Sequence, residues 1–131
     1  VRQNGCQKLS SDFAVPIPRN AEMLHYYQES LAREFPGKST IYGHIGDAHV
    51  HVNILSESQE DFERGKDWMY RTAQHSVSLG GTVSAEHGLG KRKAHFLPLM
   101  FSADQIEAMK KVKLRLDPQW LLGQGTLFPD R

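Results

Sequence analysis

Three of the chain's seven histidines fall between His44 and His51. They lie in the stretch Gly43-His44-Ile45-Gly46-Asp47-Ala48-His49-Val50-His51-Val52-Asn53. After Gly46-Asp47 the stretch alternates with period two. His49, His51 and Asn53 point to one side, and Val50, Val52 and Ile54 to the other, as in a half-buried strand. Gly46-Asp47 reads as a two-residue hairpin turn of type II′, with Gly in the first central position. That register sets His44 opposite His49 and Tyr42 opposite His51, all on one face. Directly opposed Cβ atoms stand about 4.5–5.5 Å apart and diagonal ones about 7–8 Å. Either spacing lets two imidazoles share one metal ion, whose bonds to nitrogen are about 2 Å. Glu86, behind Gly80-Gly81, is the natural third donor. Two histidines and one carboxylate with a position left open form a catalytic rather than a structural ligand set. It suits zinc, manganese or iron(II), and the sequence does not choose between them. In an extended chain His87 points away from Glu86, which leaves it as a general base or acid.

Other features carry less chemistry. Gly88 and Gly90 allow a sharp turn and close approach to a ligand. Lys91-Arg92-Lys93 could add to anion binding at a helix start, but three basic residues in a row are more often a solvated face. His25, His75 and His95 read as ordinary surface or core residues.

The elements that must position these groups follow from hydrophobic spacing. Residues 1–11 are polar and read as a linker or frayed N-terminus. Asp12 to Pro18 looks like a strand limited to an edge by its prolines. Asn20 is placed to cap a helix over 21–35 with Leu24, Tyr27, Leu31 and Phe35 at helical spacing. Pro36-Gly37 stops it. Ser39–Ile45 and Ala48–Leu55 are the hairpin strands. Ser58 to Asp61 resembles a capping box. It opens a helix carrying Phe62, Trp68, Met69, Ala73 and Val77, which Gly80-Gly81 ends. Thr82–Ala85 is a short fourth strand. The order strand, helix, strand, strand, helix, strand predicts an α+β protein, a ferredoxin-like βαββαβ sandwich. Its helices cover one sheet face, and the histidine face is left open. Ser102 with Gln105 caps an additional C-terminal helix striped by Ile106, Met109, Val112 and Leu116, which Asp117-Pro118 ends. The tail reads as loop with one short extended piece.

Composition narrows the classes. A chain of 131 residues, 39% hydrophobic, has the length of one domain and can bury a core. A net charge of +1 gives no reason to expect nucleic acid or an anionic membrane as partner. A single cysteine, Cys6, makes no internal disulfide and points to a reducing compartment. No run approaches the roughly 20 apolar residues of a membrane span.

The hairpin stretch, then Ser84-Ala85-Glu86-His87-Gly88-Leu89-Gly90, then Leu116-Asp117-Pro118 with Gly125-Thr126-Leu127-Phe128, resemble the C-terminal part of the FAD-linked oxidases. This family includes glycolate oxidase, D-lactate dehydrogenase and D-2-hydroxyglutarate dehydrogenase. Its pattern is G-H-x-G-D-G-N-x-H-x-N, then G-E-H-G-I-G, then L-D-P-x-x-x-x-N-P-G-K-x-F. Asp12-Phe13-Ala14-Val15-Pro16 is also similar to the family's D-V-x-V-P. The resemblance implies a cap or substrate domain, over residues 12–131, lying on an FAD held by a separate domain. It implies His44, His51 and Glu86 as ligands of a divalent metal that holds the carboxylate and hydroxyl oxygens of a 2-hydroxy acid. It implies His87 as the base taking the hydroxyl proton while the α-hydrogen leaves as hydride to the flavin, and Asn53 beside the substrate.

The sequence departs from the pattern in three places. Ala48-His49 replaces Gly-Asn, which puts an extra imidazole on the site face as a competing ligand or a pocket wall. Ala85 replaces the Gly before Glu86. Gly123-Gln124-Gly125-Thr126 replaces Asn-Pro-Gly-Lys. No Gly-rich phosphate-binding stretch occurs. With Val1 as the first residue, the expectation is a piece of a longer flavoenzyme, inactive in redox chemistry by itself. It is expected to be cytoplasmic in a bacterium or mitochondrial in a eukaryote, and a homodimer is compatible with it. The competing reading is a free-standing metal- or small-acid-binding module without redox activity. A metal-dependent hydrolase comes third.

Overall fold

The computed structural model describes residues 7–128. The chain divides into two compact units, the first ending at Glu86 and the second beginning at His87.

The first unit is built on a three-stranded antiparallel sheet in the order β1-β3-β2. Its strands are β1 (Gln7–Ser10), β2 (Ser39–His44) and β3 (His49–Ser56). The β1 strand corrects the linker reading of the N-terminal segment over residues 7–10; residues 1–6 lie outside the described residues. Leu9 pairs with Ile54 and lies against Gly65, so close that a β-carbon there would overlap its side chain. The glycine that weakens a helix by propensity here makes room for a strand.

The expected strand over 12–18 is present only as an isolated bridge at Ala14, which joins both His49 and Thr82. The prolines explain this: Pro16 and Pro18 lack the N–H that a ladder needs, and Ile17–Arg19 turns into a 3-10 helix instead. The expected fourth strand is likewise reduced to the bridge at Thr82. Ala14 and Thr82 exchange backbone bonds of 3.3 and 2.8 Å, and Ala85 donates to the Asp12 carbonyl at 2.9 Å. The order of segments is therefore that of a split βαβ pair, and the chain is an α+β protein.

Helix α1 (Asn20–Glu34) buries Met23, Tyr27, Ser30 and Leu31 rather than Leu24. Asn20 is its first residue and not its cap; Asn20 donates instead to the Ile45 carbonyl at 2.9 Å. Helix α2 (Gln59–Ser78) is capped by Ser58, which accepts from the Asp61 N–H at 3.0 Å. The Asp61 carboxylate does not close the box. It pairs with Lys38 at 2.8 Å, which holds its carboxyl below the usual range. Gly80 and Gly81 end α2, donating to the carbonyls of Val77 and Ser76. That pattern, with Gly80 at φ +79°, is a Schellman stop. Trp68 is fully buried beside Tyr27, and its indole N–H donates to Ser30 Oγ at 3.0 Å. Phe62 and Val77 are only half-buried. Val50, Val52 and Ile54 are buried on the sheet face that α2 covers, as the alternation predicts. Burial of each such side chain contributes about 1.5–3 kcal/mol.

The second unit carries a 3-10 turn at Ala94–Phe96, the one-turn helix α3 (Leu97–Met100) and helix α4 (Ala103–Leu116). The Ser102–Gln105 capping box is complete, with both bonds present. The expected apolar stripe is not: Ile106 and Met109 are half-buried, while Val112 and Leu116 are exposed. Asp117 ends α4 and is buried, accepting from Lys113 at 2.8 Å and from the N–H groups of Leu121 and Leu122 at 2.9 Å. These donors hold its carboxyl down to about 2. The tail to Phe128 is a series of turns with no strand among the described residues.

Candidate functional site

The hairpin places the histidines in the predicted register. His44 pairs with His49, Tyr42 with His51 and Thr40 with Asn53. The turn itself differs. Ile45–Asp47 is a 3-10 turn, closed by Ala48 N–H on the Ile45 carbonyl at 3.2 Å, with Ala48 left-handed at φ 50°. Gly46 is not among the glycines with positive φ, so the type II′ reading fails at the turn while the pairing it implied holds.

The histidine face is open along β2, where Tyr42 and His44 are about half exposed, and closed along β3. His49 and His51 are both only 6% exposed. The segment from Ser11 to Val15 runs along β3 on its far edge from β2. It bonds Ser11 N–H to the Val52 carbonyl at 2.9 Å and Val15 N–H to the Ala48 carbonyl at 3.2 Å. His51 Nδ1 donates to the Ser11 carbonyl at 3.2 Å. In the neutral ring a proton on Nδ1 leaves the lone pair on Nε2, which lies 3.2 Å from Glu86 Oε1. His44 Nε2 lies 3.8 Å from the same oxygen, with both side chains about half exposed. His49 Nε2 meets Asp12 Oδ1 at 3.0 Å.

One donor atom from each of His44, His49, His51 and Glu86 lies within 4.8 Å of the others. Ligands around a tetrahedral zinc, at bonds of about 2.0–2.2 Å, stand about 3.3–3.5 Å from one another. The 3.2 and 3.8 Å separations of His51 and His44 from Glu86 bracket that value. The set of two imidazoles and a carboxylate therefore fits a divalent cation, with one buried and two solvent-facing donors.

Asn53 is half-buried on the same strand. Its amide donates to the Tyr42 hydroxyl at 3.1 Å, and its Oδ1 is buried without a hydrogen-bond partner. His87 is exposed and opens the second unit.

Sequence reasoning misses Asp12 as a member of this site, reading it only as a strand start. It is fully buried. Beyond His49, its carboxylate accepts from Ser84 Oγ at 2.9 Å, Ala85 N–H at 3.1 Å and Glu86 N–H at 3.3 Å. Ser11 likewise falls in the segment read as linker. The signal for Asp12 is an acidic residue heading an apolar strand-like run, a place where an unpaired charge is costly.

A mixed sheet-and-helix chain whose hairpin and loop bring together two imidazoles and a carboxylate is, by geometry, a domain with the donors for a divalent cation. A family model described as "FAD linked oxidases, C-terminal domain" matches residues 1–127, and the chain belongs to this family. It is 36% identical over 123 residues to a D-2-hydroxyglutarate dehydrogenase of Xanthomonas citri, covering 90% of this chain and 26% of that protein. It is 29% identical over 119 residues to the glycolate oxidase subunit GlcD of Bacillus subtilis, covering 89% and 25%. It is 28% identical over 127 residues to a mitochondrial D-lactate dehydrogenase [cytochrome] of Arabidopsis thaliana, covering 95% and 22%. The chain thus spans about a quarter of the length of these relatives. Among the described residues no helix is long and apolar enough to cross a membrane.

Proposed function

We propose that this chain is the substrate-binding, C-terminal domain of an FAD-dependent oxidoreductase. The reaction is oxidation of a D-2-hydroxy acid of the lactate, glycolate or 2-hydroxyglutarate type to the 2-oxo acid, with hydride passing to the flavin. The observation that carries this reading is the convergence of Glu86 Oε1 on His51 and His44 at 3.2 and 3.8 Å, in a chain of this family.

His44, His51 and Glu86 would hold the cation, with zinc preferred. When bound, it supplies a Lewis acid for the carboxylate and hydroxyl oxygens of the substrate. The flavin, on a domain of the same polypeptide beyond this chain, supplies the two-electron acceptor. His87 accepts the hydroxyl proton on a ring nitrogen. Asn53, whose Oδ1 lacks a partner, orients the substrate by accepting a hydrogen bond, and His49 forms part of the pocket wall. A reducing compartment, cytoplasmic or mitochondrial, goes with this reading.

The test is the full-length open reading frame. A contiguous flavin-binding domain is expected, and its purified product should lose flavin visible absorbance when given D-lactate, glycolate or D-2-hydroxyglutarate without oxygen. A stop codon directly before Val1, or no bleaching by any of the three, overturns the redox assignment. A metal-binding module without redox activity is the second reading. It is favoured by one observation: His44, His51 and Glu86 all belong to the first unit.

A further inference from the structure

We infer that Asp12 is the positioning residue of the cation site, holding in one carboxylate both the His49 ring and the backbone that presents Glu86. This rests on the metal reading above and assigns a role to a residue outside the ligand set.

The geometry is specific. Asp12 is 0% exposed, and its two oxygens meet donors from two separate parts of the chain. Oδ1 faces His49 Nε2 at 3.0 Å and shares the Glu86 N–H at 3.4 Å. Oδ2 faces Ser84 Oγ, Ala85 N–H and Glu86 N–H at 2.9, 3.1 and 3.3 Å. A carboxylate is an acceptor only, so each of these contacts requires a donor proton on the other side. For His49 this puts a proton on Nε2, and in the neutral ring the lone pair on Nδ1. For residues 85 and 86 it fixes two successive N–H groups, and with them the direction in which the Glu86 side chain leaves the backbone.

With its lone pairs committed to donors, Asp12 is poorly placed to be a ligand itself. Outer-shell carboxylates that orient imidazoles and ligand-bearing backbone commonly change metal affinity by about 10–100-fold when replaced. Asparagine at position 12 keeps the shape. Its amide nitrogen, however, must face either the His49 N–H or the Ala85 N–H, so one side of the site loses its acceptor.

The experiment uses the full chain and zinc alone. Zinc affinity is measured by competition with a chromophoric chelator for the wild type, Asp12→Asn and His49→Asn. Long-range 1H–15N spectra of the metal-free wild type report which ring nitrogen of His49 carries the proton. The expected result is wild-type zinc binding, a loss of about 10–100-fold in Asp12→Asn, a smaller loss in His49→Asn, and a His49 proton on Nε2. The graded pattern separates Asp12 acting on both sides of the site from Asp12 acting on His49 alone. Zinc affinity in Asp12→Asn within threefold of wild type, or a His49 proton on Nδ1, overturns the inference. The ring assignment is made on the wild type, so it decides even where Asp12→Asn does not fold. A wild type that binds no zinc overturns the metal reading itself and this inference with it, an outcome distinct from either of the two before.

Discussion

Gly43 and His51 meet across the hairpin with too little space for a β-carbon unless a neighbour gives way by a few tenths of an ångström. One built on Gly43 would stand 3.1 Å from His51 Cδ2, 3.1 Å from His51 N and 3.0 Å from the His49 carbonyl oxygen. Gly43 also sits at φ +132°, a conformation that other residues rarely adopt. Gly43→Ala should therefore cost about 1–3 kcal/mol in folding stability. It should also weaken zinc binding by pushing on the ring that faces Glu86. Urea unfolding and zinc titration of the same variant check both; an unchanged midpoint with unchanged affinity refutes the account of this contact.

His51→Ala removes the buried donor 3.2 Å from Glu86. The purified variant should retain little zinc beside the wild type. His25→Ala should retain the wild-type amount, because His25 is an exposed helix residue paired with Glu29 at 3.1 Å. Elemental analysis of the three proteins decides the matter, and equal zinc in wild type and His51→Ala removes His51 from the ligand set.

Gly81 is filled in a different way. A β-carbon there would lie 2.8 Å from the Ser76 carbonyl and closer still to the Ala14 carbonyl, both backbone atoms that cannot turn aside. Gly81→Ala should destabilise the protein by about 1–3 kcal/mol or more. Gly46→Ala meets nothing within 4 Å and should stay within about 0.5 kcal/mol of wild type. Parallel denaturant melts should separate the two variants clearly; similar midpoints count against the close approach of residues 14, 76 and 81.

The buried Asp117 makes the C-terminal unit acid-sensitive. Its carboxyl titrates near 2 in the folded protein, below the ordinary 3.8, because Lys113 and two backbone N–H groups favour the charged form. A depressed folded value stabilises fully above the unfolded value and loses that contribution as pH falls from about 4 toward 2. The indole proton resonance of Trp120, whose ring lies under Lys113 Nζ at 4.8 Å, should shift over that interval. Asp117→Asn should abolish the dependence and lower stability at neutral pH. A titration of Trp120 that is identical in the variant rules the linkage out.

The parts of the fold that are legible in the sequence are those whose partners lie close along the chain. The β2–β3 register follows from alternation on both sides of a short turn, so His44 opposite His49 can be read directly even though the turn type cannot. The Ser102–Gln105 cap is local and equally readable. By contrast, β1 has only Leu9 as an apolar residue, and its justification is Gly65, far away in sequence. Val112 and Leu116 obey the helical period yet stay exposed, because a period says which residues share a face and not what covers that face. Within the site, the imidazole pair is visible as spacing, and Glu86 as the nearest carboxylate after a strand. Asp12 shows only as an acidic residue heading an apolar run, because its partners are mostly backbone N–H groups and a hydroxyl, which leave no pattern of residue types.

That carboxylate has a consequence for how the protein comes to be folded. Asp12 reaches His49 across 37 residues and Glu86 across 74. Contacts between residues so distant carry a larger loop-closure entropy than local turns do. The hairpin can form early from its own sequence, but a chain still being made lacks the far half of the site until residue 86 has arrived. If the site holds zinc as proposed, a zinc-responsive probe in a refolding experiment should respond when residues 12, 49 and 86 come together and not when the hairpin alone forms.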